Sequence, residues 1–333
     1  MRPKDVTRVL TALVPTKEPC FLWGAPGIGK SDLVRQTADA LGMDLIDVRA
    51  VLLDPVDLRG LPHVNGDNRA HWCQPAFLPH DPESKGILFL DELAQAPPLV
   101  QSACLQLTLD RRIGEYILPD GWSIIAASNR HSDRAGAHKL ITPLLNRFAA
   151  HLDVEVSVED WQAWAVANGI SPEIRSFINF RPALIHQFRP DSGDRAFASP
   201  RSWHKMSTIL GAGLSDDLLP QVASGCVGTG PAAEFLGFLR TYRDLPDIDE
   251  VLGNPAGTAV PTEPSVLYAL CGALVERIRG NKGPVAAFSK YVARMQPAYA
   301  TIAFRDGMAV NAGLLRDTAC SGWLREHRDM ILD

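Results

Sequence analysis

One stretch limits what this chain can fold into more than any other: Phe21-Leu22-Trp23-Gly24-Ala25-Pro26-Gly27-Ile28-Gly29-Lys30-Ser31. Gly24, Gly29, Lys30 and Ser31 stand at the spacing of a Walker A phosphate loop. The apolar run from Cys20 to Trp23 supplies a buried strand. Glycines then let the backbone turn so that successive N–H groups point at phosphate oxygens. Lys30 brings a point charge to the β- and γ-phosphates, and the Ser31 hydroxyl can ligate Mg²⁺. A helix is expected from Lys30 to Leu41, stopped by Gly42. The partial positive charge at its N-terminus favours a bound anion. Gly24, Ala25, Pro26, Gly27, Ile28, Gly29, Lys30 and Ser31 are therefore the expected nucleotide-binding residues, for ATP with Mg²⁺.

A second motif follows. Gly86 to Leu90 reads as an apolar strand that delivers Asp91-Glu92 at its C-terminal end, the Walker B arrangement. Asp91 is expected to hold Mg²⁺ through water, with Ser31 as its partner ligand, and Glu92 to polarise the attacking water. Downstream of a Walker A loop, an Asp-Glu pair at this position carries far more weight than it would alone.

The remaining elements arrange themselves around these two. Asp5 to Leu13 has helical spacing (Val6, Val9, Leu10, Leu13) and reads as a leading helix covering the nucleotide site. Asp44 to Val48 alternates as a second strand. Leu52 to Pro79 fits a hairpin turning at Asn65-Gly66, flanked by helical pieces. Pro97 and Pro98 open a helix that runs to Leu109, and Arg111 to Trp122 forms a second small hairpin. Ser123 to Ala127 is a buried strand ending in Ser128-Asn129-Arg130. Ile141 to Phe148 is a short helix carrying Asn146-Arg147-Phe148, and Leu152 to Val156 alternates as the last strand. Five strands with helical or mixed connections predict an α/β fold with a mostly parallel sheet, its site at the carboxyl ends of the strands.

From Ser157 the pattern turns helical. Helices are expected at Glu159 to Asn168, from Ser171, from Ser199-Pro200 with the serine as cap, and at Gly230 to Arg243, Ser265 to Arg279 and Ala286 to Arg294. Asp244 to Pro264 reads as a long loop. Trp161, Trp164 and Trp203 are read as core, and Trp72 as packing the first hairpin. His63 and His71, with only Cys73 nearby, lack zinc spacing.

With these residues in place, the chain resembles the AAA+ ATPases and, within them, the MoxR group of the helix-2-insert clade. Gly24 to Ser31 matches Walker A and Ile87 to Glu92 matches Walker B. Asn129 matches sensor 1, Arg147 in Pro143-Leu144-Leu145-Asn146-Arg147-Phe148 the arginine finger, and Arg201 in Ala198-Ser199-Pro200-Arg201 sensor 2. The two hairpins fall where that clade has its helix-2 insert and its pre-sensor-1 hairpin. The resemblance covers about two-thirds of the chain. It implies an AAA+ core at residues 1–156, a helical lid at 157–245 and a helical C-terminal extension at 246–333. It also implies roles. Asn129 positions the lytic water or γ-phosphate, Arg147 reaches a neighbouring subunit's γ-phosphate, and Arg201 contacts the nucleotide in cis. Arg130 and Arg134 are rival interface arginines.

A trans-acting arginine implies a homo-oligomer, and the resemblance makes it a hexameric ring with chaperone activity on a client protein. The family often partners a von Willebrand factor A domain protein. Three other readings compete: a nucleic-acid motor or loader, a magnesium chelatase-like ATPase subunit, and a small-molecule kinase, which would have no use for Asn129, Arg147 and Arg201 together. The net charge of −5 argues against a dedicated nucleic-acid surface, while leaving room for a local basic patch. At 333 residues and 46% hydrophobic, the chain can build two or three cores. Its six cysteines show no paired or metal-type spacing and read as reduced core thiols. With neither an apolar leader nor a bilayer-length run, a soluble cytoplasmic protein with no membrane partner is expected.

Overall fold

The computed structural model describes residues 1–64, 66, 70–133, 140–280 and 283–328. These form two compact units. The first comprises Met1–Ser157 with Phe188–Gly193, and the second Val158–Gln187 with Asp194–Asp333.

In chain order the first unit contains α1 (Pro3–Leu13), β1 (Cys20–Trp23), α2 (Lys30–Leu41), β2 (Asp44–Arg49), α3 (Pro55–Arg59), β3 (Leu61–Val64) and β4 (Ala70–Cys73). There follow β5 (Gly86–Asp91), α4 (Pro98–Asp110), β6 (Arg112–Ile113), β7 (Tyr116–Ile117), β8 (Trp122–Ser128), α5 (Thr142–Leu145) and β9 (Ala150–Asp153). The main sheet has the order β2-β5-β8-β1-β9. Every pairing in it is parallel, so the sheet is wholly rather than mostly parallel.

Burial explains that order. The central strands β5 and β8 are buried at every residue, as parallel strands covered on both faces must be. Alternate side chains feed two apolar layers. Leu22, Ile87, Phe89, Ile125 and Ala127 pack with Val6 and Leu10 of α1 and Leu33, Val34 and Ala38 of α2. Phe21, Leu88, Leu90, Ile124 and Ala126 pack on the opposite face with Val100, Ala103, Cys104 and Leu107 of α4. Because the chain leaves β1 for the far edge and returns through β5 and β8, the carboxyl ends of β1, β5 and β8 come together at a switch point.

Several expectations are corrected. The last strand is Ala150–Asp153, not Leu152 to Val156: its ladder with β1 starts at the Cys20–Ala150 pair, two residues before the alternation begins. The helix expected over Ile141 to Phe148 contracts to Thr142–Leu145, leaving Arg147 in the turn beyond it. The first hairpin (β3–β4) has a helix only on its N-terminal side, α3, held by an Asp54–Asp57 capping box. Of its expected turn at Asn65-Gly66, only Gly66 is among the described residues. Trp72 is 39% exposed on β4 rather than packed away. His63 lies opposite His71 in the same ladder. No group of three metal-binding side chains occurs among the described residues.

The second unit is helical: α6 (Val158–Ala167), α7 (Pro172–Phe180), α8 (Pro200–Gly211), α9 (Leu219–Val227) and α10 (Thr229–Arg243), then α11 (Ile248–Gly253), α12 (Pro264–Arg277), α13 (Val285–Val292), α14 (Pro297–Val310) and α15 (Thr318–Glu326). Ser199 caps α8 in the expected way, accepting from the Ser202 N–H. The stretch Asp244 to Pro264, read as loop, contains α11, capped by Asp247. Trp161 and Trp203 are buried, as read. Helices α7 and α12 approach so closely that a Cβ on Gly272 would lie 1.8 Å from Ser176 Oγ. Four cysteines (Cys20, Cys104, Cys271, Cys320) are buried, Cys226 is partly buried and Cys73 is exposed. No helix among the described residues is long and apolar enough to cross a membrane.

Candidate active site

The phosphate loop leaves β1 at Gly24 and enters α2 at Lys30. Its conformation depends on glycine. Gly27 (φ 78°) and Gly29 (φ 96°) occupy the left-handed region, which costs a side-chain-bearing residue about 1–2 kcal/mol. Gly24 is needed for space instead: a Cβ there would lie 2.5 Å from Ile28 Cδ1 and 2.9 Å from the Val154 carbonyl oxygen. Gly42, also left-handed, ends α2 by donating its N–H to Ala38 and Asp39.

The sheet order brings residues of three separate motifs together. Lys30 is only 9% exposed, and its Nζ donates to the Gly24 carbonyl at 2.7 Å, the Ala25 carbonyl at 3.1 Å and Asn129 Oδ1 at 3.0 Å. The Ser31 hydroxyl donates to Asp91 Oδ2 at 2.9 Å, and the other Asp91 oxygen accepts the Glu92 N–H, also at 2.9 Å. A hydroxyl and a carboxylate in contact at the N-terminus of a helix are hard oxygen donors of the kind Mg²⁺ prefers, so the residues fit that ion. Lys30, Ser31, Asp91 and Asn129 thus meet at the carboxyl ends of three adjacent strands.

Glu92 stands beside them in an unusual backbone state. Its φ of 58° is left-handed, a conformation that costs a non-glycine residue about 1–3 kcal/mol and collects at functional positions. Its carboxylate lies 3.9 Å from Arg49 Nη1 at the end of β2. Sequence reading missed Arg49 and its neighbour Asp47, since β2 announced itself only by alternation. Burial, and then the nearby Asp91 carboxylate, raise the Asp47 pKa, with Arg49 and Arg35 opposing.

The arginines divide into two kinds. Arg130 is engaged within its own chain, its Nε donating to Asp153 Oδ1 at 3.1 Å and its Nη2 to the Val154 carbonyl at 3.3 Å. Arg147 follows α5, and its buried Nε has no hydrogen-bond partner among the described residues. Arg134 lies outside the described residues. Arg201 belongs to the helical unit, exposed on the first turn of α8.

Two side chains tie the parts of the site together. Ser128 Oγ donates to Gln95 Oε1 at 2.6 Å and accepts the Ala94 N–H at 3.2 Å, which fixes the turn after Asp91-Glu92 to the end of β8. Gln101, fully buried in α4, donates to the Ala96 carbonyl at 3.1 Å and accepts from the Ile141 N–H at the start of α5, also at 3.1 Å.

Known proteins similar to this chain were compared with it. Residues 19–148 match the AAA domain of the dynein-related subfamily. Midasin of Giardia intestinalis is 33% identical over 169 residues, a match that spans 47% of this chain and 3% of that protein's length. Among solved structures, the RuvB Holliday junction branch migration motor of Thermotoga maritima is 17% identical with a TM-score of 0.39, over 81% of each chain. NtrX from Brucella abortus in complex with ADP is 16% identical with a TM-score of 0.41, covering 98% of this chain and 68% of that one. The domain match and the five-stranded sheet together make this an AAA+ P-loop fold, and an AAA+ domain implies nucleotide binding and hydrolysis.

Proposed function

We propose that this chain, whose residues 19–148 form an AAA+ nucleotide-binding domain, works as a ring-forming ATPase of the MoxR kind that remodels a partner protein. In this reading the loop from Gly24 to Ser31 wraps the phosphates with its N–H groups, and Lys30 trades its carbonyl partners for phosphate oxygens. Ser31 and Asp91 would hold Mg²⁺, which would supply charge neutralisation at the phosphates. Glu92 leaves Arg49 to orient the attacking water, and Asn129, already on Lys30, fixes the position of the γ-phosphate. Arg147 acts on the nucleotide of the next subunit, and Arg201 reports nucleotide state to the helical unit.

The observation that carries the reading is Arg147. Its guanidinium Nε makes no hydrogen bond among the described residues, in contrast to Arg130, which is engaged within its own chain, and this supports a role for Arg147 toward a neighbour's triphosphate. A protein client is supported by the exposed apolar residues on the two hairpins, Leu61, Val64, Trp72 and Ile117. The net charge of −5 supports a protein over a nucleic acid. A hexamer and a von Willebrand factor A domain partner follow from the MoxR resemblance. The test is Arg147→Ala in the full chain, which should bind ATP as the parent does but turn over about 10³-fold more slowly. Wild-type turnover in that variant would refute the trans role.

A further inference from the structure

His151 on β9 joins the phosphate-loop strand to the segment that carries Arg147. Its Nδ1 lies 3.0 Å from Trp23 Nε1, and its Nε2 lies 3.0 Å from the Leu145 carbonyl oxygen. Trp23 is the last residue of β1, immediately before Gly24, and Leu145 is the last residue of α5, two before Arg147.

The chemistry of the two partners fixes the ring. An indole N–H only donates, so Nδ1 must accept; a carbonyl only accepts, so Nε2 must carry the proton. Only the neutral imidazole satisfies both. The same ring packs at 6.1 Å against Phe148, the residue after Arg147, and at 5.8 Å against Phe21 of β1. Phe148 in turn meets Phe21 edge-on at 4.9 Å. Arg147 is therefore bracketed. The residue two before it is hydrogen-bonded to His151, and the residue after it is packed on His151.

We infer that His151 is a positioning residue for Arg147, holding the arginine segment to the phosphate-loop strand only while its imidazole is neutral. This deepens the trans-arginine reading above and rests on it. A solvent proton taken up at Nδ1 puts an N–H against the indole N–H, and the bridge to Trp23 is lost. His151 is exposed, so solvent reaches it. β1 and α5 contribute no charged group, Asp153 follows on β9 and is paired with Arg130, and Arg147 lies beyond α5.

The experiment uses the full chain and reads ATP affinity, with a fluorescent ATP analogue, alongside turnover from pH 5.5 to 8. His151→Phe keeps the aromatic packing and deletes both hydrogen bonds. It should bind the analogue within about twofold of the parent and turn over about tenfold more slowly, the scale of a catalytic group displaced by a fraction of an ångström. His151→Gln keeps a donor and an acceptor and cannot be protonated. It should recover most of the turnover, and its pH–rate profile should be flatter than the parent's at the acid end of the range. Trp23→Phe, which removes the indole donor with part of its ring and leaves the Leu145 bond, should slow turnover in the same direction by a smaller factor and serves if that variant does not fold. Arg147→Ala run in parallel separates the two ideas. If it is slow while His151→Phe or Trp23→Phe is as fast as the parent, the positioning role is wrong and the trans role stands. An acid limb unchanged in His151→Gln also overturns the positioning role. Parental turnover in Arg147→Ala removes the reading on which it rests.

Discussion

Replacing Ser31 with alanine should separate metal binding from nucleotide binding. The Ser31 hydroxyl donates to Asp91 Oδ2 at 2.9 Å, and Asp91 is 6% exposed. The other carboxylate oxygen already takes the Glu92 N–H. Ser31→Ala therefore leaves one oxygen of a buried carboxylate without this donor. Hydrogen bonds to charged groups contribute about 1.5–3 kcal/mol, and the partial exposure of Ser31 puts this one at the lower end. A loss of about 1.5 kcal/mol from a unit of this size lowers Tm by about 4 °C. The same change removes an Mg²⁺ ligand. ATP affinity measured with Mg²⁺ should fall about tenfold, equivalent to about 1.4 kcal/mol, while affinity in excess EDTA should change by less than about threefold. Thermal melts and paired titrations of the same protein read both effects. Equal losses with and without Mg²⁺ would refute the ligand assignment, and an unchanged Tm would refute the hydrogen-bond argument.

Asp47→Asn should stabilise the nucleotide-free protein in EDTA at neutral pH. Because the folded-state pKa of Asp47 is raised, by burial first and Asp91 second, its ionised form costs stability above that pKa, and the cost disappears as pH falls toward its unfolded value. The advantage of the variant over the parent should therefore shrink on acidification; an advantage that grows at low pH would contradict this sign. Burial pushes the thiols of Cys20 and Cys320 up to about 11 and those of Cys104 and Cys271 up to about 12. Alkylation of the folded protein at pH 8 should accordingly label exposed Cys73 first and those four only after unfolding. Peptide mass spectrometry checks it, and early labelling of Cys104 would overturn it.

Much of the nucleotide-binding unit was legible because its signals are local. Gly29 and Gly42 punctuate α2 in sequence and in space, and both adopt the left-handed conformation that such ends require. The strands β5 and β8 are short apolar runs bounded by turns, and such runs have few alternatives. The site's convergence was less legible. Asn129 meets Lys30 only because β8 lies beside β1, which is a property of the sheet order. Arg49 and Asp47 carried no motif at all, and neither did His151. The helical unit hid its shorter elements. α11 has six residues, too few for a 3.6-residue period to show, within a stretch whose prolines and glycines suggested a loop. α14 begins on Pro297 and carries Gly307 in its interior, where Leu314 and Phe288 come close enough that a Cβ would meet Leu314 Cδ2 at 2.9 Å. A helix that trades propensity for close packing is easily missed when read by propensity.

The central claim is that Arg147 completes a neighbour's site, and mixing two inactive proteins tests it most directly. Arg147→Ala retains its phosphate loop and lacks the arginine, whereas Lys30→Ala lacks the loop's charge and retains the arginine. Neither should hydrolyse ATP at more than a trace rate alone. When the two are mixed and allowed to exchange subunits, some interfaces pair an intact loop with an intact Arg147. Turnover should then rise above the sum of the separate proteins, with a maximum at an intermediate ratio. An Arg147→Ala protein that is monomeric and turns over like the parent would contradict the account outright.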